Sequence, residues 1–558
     1  MVLRLKNKKW DLLYCLGITF LLCLPLLCKD FVNIEHDTFF HLSRIEQLSR
    51  SISEGNFFPA IYPYENNSFG YGSPLFYCDV LLIPFALIHL AGLPLSVTYQ
   101  IMCIFFSFLA SVNMFNFAYT VTKKKSAAWL ACAAYLLANY HITDLYVRSA
   151  IGEITAMAFL PLVLNQYYCI VILKEKKGIA FAFSLALVLL SHNLTFLMCV
   201  ILILVLSLVF LPEFTKETFM ELAKGTGIAF LLTVFFSLPM IEQLQAQKMI
   251  LNYYGQSSDL AQGSMNLWQF FVNETIFGYS GNNLSKAQTM TVNTGWFVTF
   301  LSPLWFAVCR KEKNRFISVL CIIGLVCMVL PASFFPWNYM TALRILQFPW
   351  RLNTIALVCL CIPASAFVSY FSDQKKWITA SMIILLCAEG FYHVHPVFSR
   401  TFGMDHTMVW SDITDGKLCD PYYSANYVRV ELAGGDYLPM PIPDFHTYSP
   451  KIKDEKEQDL SLEYEKKGTQ LTFAAEEENT KTFILPLTWY KGYTAFYNGK
   501  TIPVSRSAYG MVTCENKGPG TYVIQYKSTP LRKGCLFVSF VTLMCVIFCA
   551  GKSWLHKQ

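Results

Sequence analysis

Long apolar runs, parted by short polar corners or clusters of lysine and arginine, recur from Leu12 to Phe391 and return at Val538 to Ala550. A chain patterned this way has one general solution. It crosses a bilayer as helices, because a helix satisfies every backbone group from within where no water reaches it. Composition agrees: 54% of the 558 residues are hydrophobic and only 15% charged, with a mean hydropathy of +0.41, whereas soluble domains hold roughly 45 to 50% apolar residues. The formal net charge of +7 comes from short clusters between apolar runs. Such clusters set topology and argue against a nucleic-acid partner. Most of the 19 cysteines lie inside apolar runs, without CxxC or Cys/His ligand spacing, and read as packing residues.

Topology turns on Leu75 to Gly92, LFYCDVLLIPFALIHLAG, which is about long enough to span yet holds Asp79, Pro84 and His89. If it crossed, Lys123 to Lys125 and the KEKK cluster at Lys174 to Lys177 would fall outside, against the cytoplasmic bias of basic loops. Laid at the outer interface, it restores that bias in every later loop. The N-terminal run lacks a small-residue cleavage site and reads as an uncleaved first span. The expectation is an all-α polytopic membrane bundle of about twelve spans in a multi-pass plasma-membrane protein, with N- and C-termini cytoplasmic. Residues 1–392 form this membrane domain, with a first outer loop over 29–94, and residues 531–558 supply a final span and a basic cytoplasmic tail.

Between them, residues 393–530 lose hydropathy and alternate as strands do, in YVRVEL, QLTFAA, TFILPLTWY and TYVIQY, with an Asn498-Gly499 hairpin signal. These predict a C-terminal, extracytoplasmic, sandwich-like β-rich domain. Over His393 to Thr529 there are 14 Lys and Arg against 17 Asp and Glu, a net of −3, which suits a carbohydrate neighbour better than a polyanion. Cys419 and Cys514 lie in this domain and would be free to pair if it is outside the cell.

Four segments gather on the outer side of this map: Glu35 to Tyr77, Tyr140 to Glu153, Ser191 to Asn193, and Asn338 to Arg351. All carry polar or ionisable groups at a membrane boundary, where such groups line a cavity or reach for the surface. In the first segment Asp37, His41 and Arg44 stand at i, i+4 and i+7, one narrow face of a helix. Asp37 with His41 could hold a divalent cation completed by Asp144, His141 or His192, though the spacing is far less specific than HExxH. No cofactor is otherwise indicated.

The motifs DxxxHxxR at Asp37 to Arg44, FGYGSPLFY, YVRSAIGE, LLSHNLT and LQFPWR, taken in that order, resemble the bacterial membrane family labelled 6-pyruvoyl-tetrahydropterin synthase-related. GDYLP at Gly435 to Pro439 and WYKGYTAFYNGKTIPV resemble the end of YfhO-like proteins. Both groups are similar to the GT-C class of membrane glycosyltransferases. The resemblance implies a polyprenyl-phosphate sugar donor, a glycan or lipid-linked acceptor, surrounding membrane lipids and an acidic residue from the first outer loop. The acidic pair of many such enzymes is missing here, since Asp37 stands between His36 and Thr38, and this leaves metal dependence open.

Sugar transfer needs a base for the incoming hydroxyl and positive charge on the departing phosphate. Asp37 is the candidate base, and a helix cap is its plain structural role. Glu153 is the second acidic candidate. Arg351 follows Phe348-Pro349-Trp350 and would grip the donor phosphate, or simply anchor a span beside Trp350. His41, Arg44, Arg148, His192 and Asn193 are further candidates for the phosphate; for Arg148 an ion pair with Glu153 is the structural alternative, and for His192 a turn role. A transporter or flippase for a lipid-linked saccharide, or an inactive glycan-binding scaffold, remain the alternatives. A transporter would place ionisable groups mid-span or show internal repeats, and neither pattern is seen.

Overall fold

The computed structural model of the chain describes residues 8–252, 259–372, 375–414, 435–443, 445 and 447–555. Cys419 and the expected YVRVEL strand lie outside the described residues; Cys514 is buried. Among the described residues six helices are long and apolar enough to cross a membrane: Leu95–Thr122, Ile151–Val171, Lys216–Ala246, Pro349–Ser372, Lys376–Phe398 and Pro530–Cys549. Other apolar runs yield less. Gly178–Ser191, Asn193–Val209 and Arg315–Val329 have 14, 17 and 15 residues, or about 21 to 26 Å at 1.5 Å per residue, short of a hydrocarbon core of about 30 Å.

Two of the expected spans are broken, and the sequence gives the reason for one of them. Trp296 to Cys309 divides into Trp296–Leu301 and Trp305–Glu312, because Pro303 has no N–H to continue the ladder. Ala127 to Tyr140 ends its first helix at Leu136, and a new one begins at Asn139. By length and composition six helices qualify as spans, and the expected count of about twelve is not confirmed.

The chain divides into two compact units: residues 1–38, 99–230 and 257–406, and residues 39–98, 231–256 and 407–558. In the first, helix Asn353–Ser372 packs against Arg315–Val329, Lys125–Leu136 and Trp296–Leu301, and Ile151–Val171 packs against Gly178–Ser191. Nearly every residue of Asn353–Ser372 and Ile151–Val171 is buried. These two central helices begin with the polar residues described below. A two-stranded ladder of β1, Phe31–Asn33, and β2, Gly403–Asp405, holds the segment that leads to Asp37.

The second unit contains a β-sandwich. One sheet has the order β3-β4-β10-β6-β7, from Tyr464–Lys467, Gln470–Ala475, Gly520–Tyr526, Tyr493–Tyr497 and Lys500–Ile502; the other is β5-β9-β8, from Thr482–Thr488, Met511–Glu515 and Val504–Arg506. Alternate residues of both sheets share one core, in which Phe473 stacks on Tyr522 at 4.9 Å and meets Phe483 edge-on at 5.2 Å. The β6-β7 turn is Asn498-Gly499 with φ of 45° and 81°, the backbone of a type I′ hairpin.

Residues 39–98 share this unit with the sandwich. Asn66, Asn67 and Ser68 run consecutively at positive φ, and Lys466 of β3 closes the loop by donating to the carbonyls of Pro63 and Ser68. Phe69 stacks on Phe445 at 4.7 Å, and its carbonyl accepts from the Thr488 N–H. At Gly72 a Cβ would lie 2.5 Å from the Tyr490 ring, so only glycine fits. The Leu75 to Gly92 segment forms a turn at Val80–Leu82 and the eight-residue helix Ile83–Leu90. At about 12 Å that helix is far too short to cross.

Candidate functional site

In the first unit the chain folds back on itself between helices Asn139–Tyr146 and Ile151–Val171, with Ser149 at positive φ. That reversal brings Asp144, Arg148 and Glu153 together. One guanidinium nitrogen of Arg148, Nη1, donates to the Asp144 carboxylate and, at 2.8 Å, to Glu153 Oε2. Glu153 Oε1 accepts from the Tyr140 hydroxyl at 2.7 Å and from Thr354 Oγ1 at 2.5 Å. Arg351 approaches Glu153 Oε2 with Nε at 3.9 Å. All of these side chains are buried.

Glu153 is thus engaged on both oxygens, twice by hydroxyls and twice by guanidiniums. Burying an ion pair is tolerated when hydrogen bonds satisfy what the charges leave over, and the Tyr140 and Thr354 hydroxyls do this for Glu153. Three hydrogen bonds and two nearby guanidiniums fit a carboxylate that holds the two arginines in place. Arg351 comes from the short turn Pro349–Leu352; its Nη1 donates to the Leu346 carbonyl at 3.0 Å and to Gln347 Oε1, while Nε has no hydrogen-bond partner. The Trp350 ring lies against both cations, 4.6 Å from Arg148 and 5.8 Å from Arg351.

Asp37 directly precedes helix Thr38–Ser53. It therefore falls outside the helical spacing that would align it with His41 and Arg44. Its N–H donates to the Arg148 carbonyl at 3.0 Å, and Thr38 Oγ1 donates to Ser149 Oγ at 2.7 Å. These bonds pin Asp37 to the reversal. Among the described residues its carboxylate accepts no hydrogen bond and joins no ion pair. Asp37 and the preceding His36 are open to water although protein closely surrounds them, as befits groups on the wall of a recess. Burial raises the Asp37 carboxyl above the usual range, Arg148 and Arg351 pull it down, and Glu153 raises it again; the net direction is up.

His192 stands at the N-cap position of helix Asn193–Val209, its Nδ1 2.8 Å from Thr195 Oγ1. Asn193 is half-buried at the start of that helix. Sequence reasoning missed Tyr140 and Thr354. The available signal was a hydroxyl one residue into each of the helices Asn139–Tyr146 and Asn353–Ser372.

His41 and Arg44 belong to the second unit, where Arg44 is fully engaged. Its Nε donates to Asp79 Oδ1 at 2.7 Å, Nη2 to the Cys78 carbonyl at 3.0 Å, and Nη1 lies 3.0 Å from His41 Nδ1. Tyr62 donates to the other Asp79 oxygen at 2.5 Å, and the Tyr77 ring covers the guanidinium at 4.1 Å. This geometry is that of a buried structural pair. Asp79→Ala is expected to destabilise the protein by about 3–5 kcal/mol, and Asp79→Leu with Arg44→Met to recover most of the loss, as read by thermal unfolding in detergent. A phosphate-binding Arg44 would instead weaken donor binding without moving the melting temperature.

Among the described residues no three His, Cys, Asp or Glu side chains converge as a metal-binding group. Asp37, His41, Asp144, His141 and His192 therefore offer no ready shell for a cation, and no step is derived through one.

No family model matches the chain, and no curated protein does. A solved structure does. The cryo-EM structure of the arabinofuranosyltransferase AftD from mycobacteria matches with a TM-score of 0.51 at 12% identity, over 94% of this chain and 40% of that one. The likeness is one of fold. It shows the fold alone; the long apolar helices of this chain support a membrane protein. The family models gave nothing for the pterin-synthase-related or YfhO-like groups. The chain spans well under half the length of the protein it resembles.

Proposed function

We propose that this chain is an integral membrane glycosyltransferase. It takes a sugar from a polyprenyl-phosphate donor and places it on a hydroxyl of an extracytoplasmic glycan, glycolipid or cell-wall polymer. The observation that carries this is an unpaired carboxylate, Asp37, fixed by its backbone to Arg148, in the electrostatic reach of two arginines that Glu153 holds in place. Acidic base and cationic phosphate site are the two parts such a transfer needs.

The acceptor hydroxyl attacks the anomeric carbon and gives its proton to Asp37. The bond from that carbon to the phosphate oxygen breaks, and polyprenyl phosphate leaves with the electron pair. Arg351 and Arg148 supply the positive field that meets the charge developing on the phosphate. Glu153, Tyr140 and Thr354 position the arginines. The bias of basic loops supports cytoplasmic termini and an extracytoplasmic β-sandwich.

Donor binding tests the phosphate site. Arg351→Ala should weaken binding of a radiolabelled polyprenyl-phosphate hexose by the purified chain about 10- to 100-fold, the loss of a hydrogen-bonded charge contact. Unchanged binding would remove Arg351 from the role.

A further inference from the structure

One segment of the first unit, Phe277 to Ser280, reaches the candidate site at three points. Phe277 lies under the Arg400 guanidinium at 4.5 Å, and Arg400 pairs with Glu35 at 2.6 Å. Tyr279 stacks on His36 with ring centroids 5.0 Å apart and planes 2° from parallel. Ser280 accepts from Trp350 Nε1 at 2.7 Å, and Trp350 covers the two arginines.

The segment is held firmly. The Tyr279 N–H donates to the Gln288 carbonyl at 2.9 Å, and its own carbonyl accepts from Met290 at 3.1 Å. Gly278 sits so close to this partner strand that a Cβ would come within 2.2 Å of the Gln288 oxygen. Tyr279 is nevertheless 60% exposed, and His36 is exposed beside it. An aromatic pair that is held firmly, stacked in parallel and open to water, one residue from a proposed base, has the form of a binding shelf.

We propose that His36 and Tyr279 form the acceptor subsite, a stacking platform for a neutral saccharide whose attacking hydroxyl is thereby presented to Asp37. This rests on the glycosyltransferase reading. The C–H faces of a sugar ring pack on aromatic faces, while an imidazole nitrogen serves a ring hydroxyl. Burial and the Arg148 guanidinium pull the His36 imidazole down to about 4, so at neutral pH the shelf carries no charge of its own. An uncharged platform suits a neutral sugar rather than a phosphate-bearing polymer.

Binding of short glucan, galactan, mannan and arabinan fragments to the purified full chain, read by saturation-transfer NMR and titration, tests this. At least one neutral fragment should bind wild type, Tyr279→Ala should weaken it about tenfold, and Tyr279→Phe should stay within about twofold. Asp37→Asn should bind as wild type does. Equal binding by Tyr279→Ala, or no binding of any neutral fragment by wild type, overturns the shelf. The two proposals fail differently. If saccharide binds through Tyr279 but wild type transfers no sugar, the shelf stands and the enzyme reading fails; if transfer proceeds and Tyr279→Ala changes neither binding nor acceptor KM, the reverse holds.

Discussion

Asp37→Asn is expected to lower sugar transfer by about 10²- to 10⁴-fold, the usual contribution of a general base, while donor binding and folding stay intact. The amide keeps the shape and the backbone bond to Arg148 but accepts no proton. The pH profile follows from the same carboxylate. Its pKa is raised, and the base form is the ionised one, so kcat/KM should climb with pH through that pKa and level off above it. Stability runs the other way. A carboxyl with a raised folded-state pKa binds its proton more tightly when folded, so stability falls as pH rises from the unfolded value to the folded one. Asp37→Asn removes that loss and should melt at or slightly above wild type at neutral pH. A carboxylate that served only as a helix cap would show the opposite pairing, lower stability with transfer retained.

Glu153→Ala should behave quite differently, with a loss of about 3–5 kcal/mol in folding stability, because it leaves buried guanidiniums without their counter-charge. Arg148 would keep Asp144 alone, Arg351 would lose the only carboxylate within 4 Å of it among the described residues, and the Tyr140 and Thr354 hydroxyls would lose their shared acceptor. Thermal unfolding in detergent measures the loss, and donor binding should fall with it, since both arginines are released together. A stable, well-folded Glu153→Ala that binds donor normally would show that Glu153 is not the group holding them.

How far the sequence reaches can be judged residue by residue. The apolar runs and the change to alternation near residue 393 announce helices and a β-region, because periodicity and hydropathy are local properties. Asn498-Gly499 marks its hairpin for the same reason. Helix breaks are less visible: Pro303 is plain in the sequence, but the stop at Leu136 depends on how Asn139–Tyr146 packs. Ion-pair partners are the least legible. Arg44 looks like a phosphate ligand until Asp79, 35 residues on, claims its Nε. Glu153 looks like a second catalytic acid until Tyr140, Arg148, Arg351 and Thr354 converge on it from two parts of the chain. Asp37 stands out in both views for the same physical cause, an acidic group placed where nothing nearby neutralises it by direct contact.

The central claim is chemical, and one measurement bears on it most directly. Purified full chain in proteoliposomes is supplied with a radiolabelled polyprenyl-phosphate sugar and a neutral oligosaccharide acceptor, and both products are counted. The account predicts one polyprenyl phosphate released for each new glycosidic bond, with Asp37→Asn inactive under the same conditions. Movement of intact donor across the bilayer with no new glycosidic bond, across a panel of donor sugars, would contradict it.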